Sequence, residues 1–293
     1  MTSSTASEQK DQTSLTRRAI SAAFRGGVAG FVAMALQVVT LIWLRTVVNY
    51  QYRHTVGIAE AFRILYREGG IRRFYQGTAF ALLMGPISRF GDTAANEGVK
   101  HLFEGTKVKV GLITFCASCA AAFWRILLTP LDLLKTNLQV LGPEGLHRTL
   151  ERARLYGIST LYSGALGNYG ANIVGHYSWF FVNNKLETMV PEKYATKNTR
   201  RALIGTCSAL TSDIISNGIR VIKTYKQTSD TPISYREAVA ELVLDSGFGF
   251  VYRGLQMKLV CSILSSILFS IVWKSTMDRM KSKQQASASN KTD

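Results

Sequence analysis

The residues of this chain best placed to do chemistry are charges set inside otherwise apolar stretches. Residues 78–100 read as an apolar helical span, yet Arg89, Asp92 and Glu97 interrupt it. Ionised side chains are tolerated in such a span where they face a wet interior rather than lipid. The pattern suggests helices gathered around a polar cavity. Other constellations carry less. The histidines, His54, His101, His147 and His176, are dispersed, and no nucleophile–base pair or metal-ligand cluster is visible. Cys116, Cys119, Cys207 and Cys261 all lie in apolar segments. Cys116 and Cys119 form a CxxC with no second ligand pair nearby, so they read as small buried helix residues rather than a zinc site. No enzyme, no metal and no cofactor is expected.

The elements that must position these charges are apolar helices. Residues 26–44 carry no charge for nineteen residues, enough to cross about 28 Å as a helix. Residues 202–212 and 259–273 are similar but shorter. Hydrophobic residues make up 47% of the 293-residue chain and charged residues only 18%, below the roughly 25% usual in soluble domains. The net charge is +16, but the basic residues are scattered, with no basic stripe, so nucleic acid is not an expected partner. A basic membrane protein against anionic lipid fits better. Residues 1–18 form a polar tail that is neither a secretory signal nor an Arg-rich transit peptide, and residues 281–293 form a second polar tail.

Between the tails the chain repeats itself. EGGIRRFYQG (68–77), LYGISTLYSG (155–164) and DSGFGFVYRG (245–254) each carry an early glycine and a Tyr two residues before a final glycine. Those final glycines, Gly77, Gly164 and Gly254, are 87 and 90 residues apart. A second element precedes each box: TLIWLRTVVN (40–49), PLDLLKTNLQ (130–139) and GIRVIKTYKQ (218–227). All three keep a basic residue followed by Thr, at Arg45, Lys135 and Lys223. Such a period marks a repeat architecture.

PLDLLK resembles the signature of the mitochondrial carrier family, intact in the second repeat and degenerate in the first and third. The resemblance covers about residues 20–280. It implies an all-α membrane protein, six transmembrane helices in three pseudo-threefold repeats with short matrix-side helices. The repeats fall at about 19–105, 106–193 and 198–280, within a single domain 19–280. The implied spans are 20–48, 78–102, 109–138, 165–188, 202–224 and 255–280, with matrix-side helices near 57–67, 146–154 and 234–244. Ser234 and Glu237 have capping-box spacing at the start of the last.

The resemblance also implies two gates. At the matrix gate the acid positions are Ile42, Asp132 and Arg220, and the basic positions are Arg45, Lys135 and Lys223. One acid then stands against four bases. The proline positions are Thr40, Pro130 and Gly218, so one odd-numbered helix keeps its kink. The opposite gate falls at Glu97, Asn184 and Lys274, then Lys100, Glu187 and Met277. Substrate-contact positions lie at Met84, at Ala171 with its neighbour Asn172, and at Cys261; none is charged. Helical spacing adds Ser88 and Asp92, with Arg89 and His176 at the edge of that face. Arg125 and Asp213 lie five residues before their proline positions.

Two readings of these charges follow. Arg89 with Asp92 and Arg125 with Asp213 could neutralise one another. Alternatively Arg89 and Arg125 hold a carboxylate or phosphate, Asp92 or Asp213 an amine, hydroxyl or proton, and His176 couples a proton or is structural. The implied function is transport of a small polar or anionic metabolite across the mitochondrial inner membrane by alternating access. The protein would be a multi-pass, monomeric carrier in contact with anionic lipid such as cardiolipin. The alternative is a carrier-fold adaptor that binds proteins in mitochondrial dynamics without transport.

Overall fold

A computed structural model describes residues 34–103, 110–191 and 197–268, with isolated positions beyond them. The side chains of Arg89, Glu97 and Lys100, and residue Lys274, lie outside the described set, as do both polar tails. Residues 38–266 form one compact unit, and the site lies within it.

Every regular element described is helical. In chain order they are α1 (residues 34–53), α2 (Ile58–Phe74), α3 (Thr78–Leu102), α4 (Val110–Leu127), α5 (Thr129–Leu141), α6 (Pro143–Tyr156), α7 (Ala165–Met189), α8 (Lys197–Thr228), α9 (Tyr235–Ser246) and α10 (residues 255–268). Short 3-10 turns, Ile158–Tyr162 and Gly247–Tyr252, lead into α7 and α10. The expected continuous helix 109–138 is instead two helices, α4 and α5, bent by 67° at Leu128. Pro130 explains the break: it has no N–H to donate and its ring crowds the preceding turn. α8 has Gly218 at the matching place and runs unbroken through 32 residues. The expected 57–67 helix extends to Phe74, with a break at Gly69 and Gly70. The capping box of α9 forms: the Glu237 N–H donates to Ser234 Oγ at 3.2 Å and the Ser234 N–H to Glu237 Oε2 at 2.6 Å.

No single helix among the described residues is long and apolar enough to cross a bilayer, although the bent pair Gly111–Leu127 and Thr129–Leu141 passes together. Polar and charged residues turned toward the interior dilute the apolar character of the others.

The threefold repeat is written in the backbone. Gly70, Gly157 and Gly247 have φ of +60°, +89° and +58°, and seven residues after each stand Gly77, Gly164 and Gly254 at +82°, +88° and +62°. A side chain is strained in that region. The box glycines also sit against neighbours. A Cβ on Gly77 would lie 3.1 Å from the Lys135 carbonyl on α5, and one on Gly164 would lie 2.7 Å from Gln227 on α8. One on Gly254 would meet the Tyr52 ring on α1 at 3.0 Å. Each repeat thus presses its box onto the first long helix of the next, and the third returns to the first.

Other crossings are equally close. Gly91 on α3 faces Trp124 on α4, with no room for a Cβ. The Trp124 indole N–H reaches the Ile87 carbonyl at 3.1 Å. Ser212 on α8 donates to the Gly175 carbonyl on α7 at 2.7 Å. Arg73, 3% exposed, donates to the Gln139 and Val140 carbonyls at 2.9 and 2.8 Å, so a cation completes the C-terminal end of α5.

Candidate functional site

The long helices α1, α3, α5, α7, α8 and α10, with Arg125 near the end of α4, enclose a cavity of about 320 Å³. Its charge is lopsided. Six basic side chains line it: Arg45, Arg125, Lys135, Arg220, Lys223 and Lys258. One carboxylate, Asp132, lines it with them.

Three carboxylates, in four ion pairs, partly offset these charges. On the second repeat, Asp132 is 6% exposed and accepts from Lys135 Nζ at 2.8 Å, three residues along the same helix. Its other oxygen is paired with Lys223 of α8. The carboxylate therefore ties α5 to α8. Farther along, Arg125 holds Asp92 of α3 through Nη2 at 2.6 Å and Nε at 3.2 Å. The same guanidinium donates to Asn172 Oδ1 of α7 at 2.9 Å. A forked donor suits two carboxylate oxygens and an amide together, so three helices meet at one planar group. In the third repeat, Asp213 pairs with Lys258 Nζ at 3.2 Å and accepts a hydrogen bond from Ser262.

Two arginines remain without a carboxylate. Arg45 is exposed to the cavity and has no hydrogen-bond or ion-pair partner among the described residues. Arg220 donates Nε to Ser216 Oγ at 3.2 Å and meets no acid among the described residues. Among the described residues, six cations against Asp92, Asp132 and Asp213 leave a surplus of three positive charges. In a confined space of low dielectric such a surplus concentrates anions.

The residues named from sequence distribute as follows. Met84, Ser88, Arg125, Ala171, Asn172 and Cys261 line the cavity, as do Arg45, Asp132, Lys135, Arg220 and Lys223. Asp92 and Asp213 reach it through their basic partners. Arg125 pairs with Asp92 rather than with Asp213, so that neutralising pair is replaced by two others. His176 on α7 is half-buried and is not among the lining residues. Asn184 and Glu187, the described members of the opposite gate, are exposed. Sequence reasoning missed Lys258. It stands one residue before the uncharged stretch 259–273, which makes it look like a helix-end charge, although α10 begins three residues earlier. It also missed Asn49 and Tyr52 of α1 as cavity residues.

The family sequence model described as mitochondrial carrier protein matches the chain three times in succession, over residues 11–107, 106–194 and 195–290. The chain belongs to the mitochondrial carrier family. The three matches coincide with the three repeats that the box glycines mark out, so the all-α, three-repeat reading holds for this carrier. Proteins of this family move metabolites across the mitochondrial inner membrane and are transporters rather than enzymes. No individual curated protein matches the carrier significantly, so no relative lends it a substrate.

Proposed function

We propose that this carrier moves a small, multiply charged organic anion across the mitochondrial inner membrane by alternating access through the central cavity. The observation that carries the reading is the surplus of three positive charges on the cavity wall, with Arg45 and Arg220 uncompensated. Dicarboxylates, tricarboxylates and phosphate esters match it in sign and magnitude. Monovalent cations and neutral amino acids do not, because they would leave the wall charge unbalanced. The neutral contact positions Met84, Ala171 and Cys261 would then shape the cavity around the body of the solute, while the arginines take its charge.

Asp132 with Lys135 and Lys223 is the part of the matrix gate closed by protein charges alone. Opening would exchange these contacts for water, and the carrier would work as a monomer with its basic surface on anionic lipid. The test is uptake into proteoliposomes from separate pools of labelled anions, zwitterions and cations. Uptake confined to the anion pools supports the reading. Uptake of cations or zwitterions alone, or none from any pool, overturns it.

A further inference from the structure

The second and third repeats show what the missing charges of the gate should look like. Asp132 of α5 touches Lys223 of α8. The repeat relates Asp132 to Arg220 and Lys223 to Arg45, so Arg220 and Arg45 occupy at the α8–α1 boundary the places that a touching acid and base occupy at the α5–α8 boundary. Both line the same cavity, and neither has a carboxylate among the described residues. Two guanidinium groups that line one cavity without carboxylates repel unless an anion joins them, and paired arginines are well shaped to grip the oxygens of a carboxylate or phosphate.

We propose that an oxyanion group of the transported solute is the missing member of this gate: it seats between Arg45 and Arg220 and latches the third repeat to the first. The inference rests on the anion reading above. It adds that the solute does more than fill the cavity, because it links α8 to α1 when it binds. The empty carrier then has two boundaries without an ion pair, α8–α1 and α1–α5, where Ile42 stands in the acid position opposite Lys135, and the solute closes the one where two cations meet. A further consequence concerns size. With Lys258 already held by Asp213 and Arg125 by Asp92, the charge left for the remaining end of the solute is the excess ammonium of the Lys135–Lys223 pair. A solute with acidic groups at both ends fits that arrangement better than one with a single acid.

The test uses the full-length purified carrier in detergent. Its melting temperature is read in inorganic phosphate, citrate and acetate, each matched in ionic strength with sodium chloride. For the wild-type chain, phosphate or citrate is expected to raise the melting temperature by about 5 °C over chloride, as a ligand well above its dissociation constant does. Arg220→Asp should raise the melting temperature of the empty carrier, because an acid is restored opposite Arg45, and should abolish the shift with either anion. Arg220→Gln removes the repulsion without adding an acid; it should melt no lower than wild type and should also lose the shift. If the anions stabilise wild type but stabilise both variants equally, the latch is overturned while the anion reading stands. If both variants melt well below wild type, Arg220 is a structural residue and the latch is overturned. If none of the anions stabilises wild type, the latch and the anion reading fail together.

Discussion

Asp132→Asn tests how much of the carrier's cohesion depends on one carboxylate. The Asp132 side chain is 8% exposed and its partner Lys223 12%, so the contact is shielded from screening by salt. Removing one partner of a buried pair costs about 3–5 kcal/mol, because the other charge stays desolvated. A Coulomb estimate agrees. Two ammonium groups that share one carboxylate lie roughly 5 Å apart, where like charges repel by about 3 kcal/mol at an effective dielectric near 20. Asparagine keeps the shape and can still accept one hydrogen bond, worth about 1 kcal/mol, so the lower end of the range applies. For a chain of this size that corresponds to a fall in melting temperature of about 6–12 °C. The assay is thermal unfolding followed by a thiol-reactive dye in a chain carrying Cys116→Ser, Cys119→Ser and Cys207→Ser, since those thiols are exposed or half-buried while Cys261 is buried until the helices part. Adding Lys223→Gln to Asp132→Asn removes the repulsion and should recover more than half of the loss. Glu144→Gln, which breaks the exposed pair to Arg148 at 2.5 Å, is the control and should change the melting temperature by about 1 °C or less. A loss below about 3 °C for Asp132→Asn, or a double variant no better than the single, would refute the claim that this carboxylate holds two buried cations.

The remaining predictions concern the scaffold. Gly91→Ala puts a Cβ 1.8 Å from the Trp124 ring and must displace it, so the melting temperature should fall by about 4 °C or more, and Trp124→Leu in the same chain should restore part of it. Ser234→Ala removes the acceptor of the α9 capping box and should lower the melting temperature by about 2–4 °C, with no such loss for Ser234→Asp. His54 packs against Tyr50, the tilted rings 4.5 Å apart, and burial, with the neighbouring Arg53, lowers its proton affinity below the ordinary value of 6.5. The unfolded chain therefore takes up a proton first as pH falls through 6.5, so this contribution to stability is complete above that pH and shrinks below it. The melting temperature of His54→Asn should depend less on pH between about 7 and 5.5 than that of wild type; parallel curves would rule out the role.

Much of the fold was legible because it is written in residue types that permit little else. Gly77, Gly164 and Gly254 recur where a left-handed backbone and a close helix neighbour both forbid a side chain. Pro130 marks the break between α4 and α5. Ser234 and Glu237 announce the cap that forms. What was not legible is partnership. Composition shows that Arg125 and Asp213 sit in apolar surroundings, but either could reach several helices; only packing decides that Arg125 reaches back to Asp92 and that Asp213 reaches forward to Lys258. Repeat register picked out Arg45, Asp132, Lys135, Arg220 and Lys223, which line one cavity because symmetry-related residues of a three-repeat body face the same axis. It could not show which of them lack a counter-charge.

The proposed gate, with one acid among four bases, raises the question of how the first long helices of the three repeats stay together without a solute. Neutral bonds supply the answer, one at each boundary. Asn49 of α1 donates to Gln139 Oε1 of α5 at 2.6 Å. Asn137 of α5 donates to the Gln227 carbonyl of α8 at 3.2 Å. Tyr52 of α1 donates to Asn217 Oδ1 of α8 at 2.7 Å, completing the circuit. Each contributes about 1 kcal/mol, less than a buried ion pair costs to break, and none depends on charge balance. The circuit therefore spans all three boundaries, through different repeat positions at each, while the ionic layer does not. That separation permits the chemistry to become asymmetric: acids can be replaced by Ile42 and Arg220 without dissolving the helix contacts, and the cations thus freed are available to an anion. In the proposed reading the sign of the solute follows from the acids missing at Ile42 and Arg220, while bonds between uncharged groups hold the helices together.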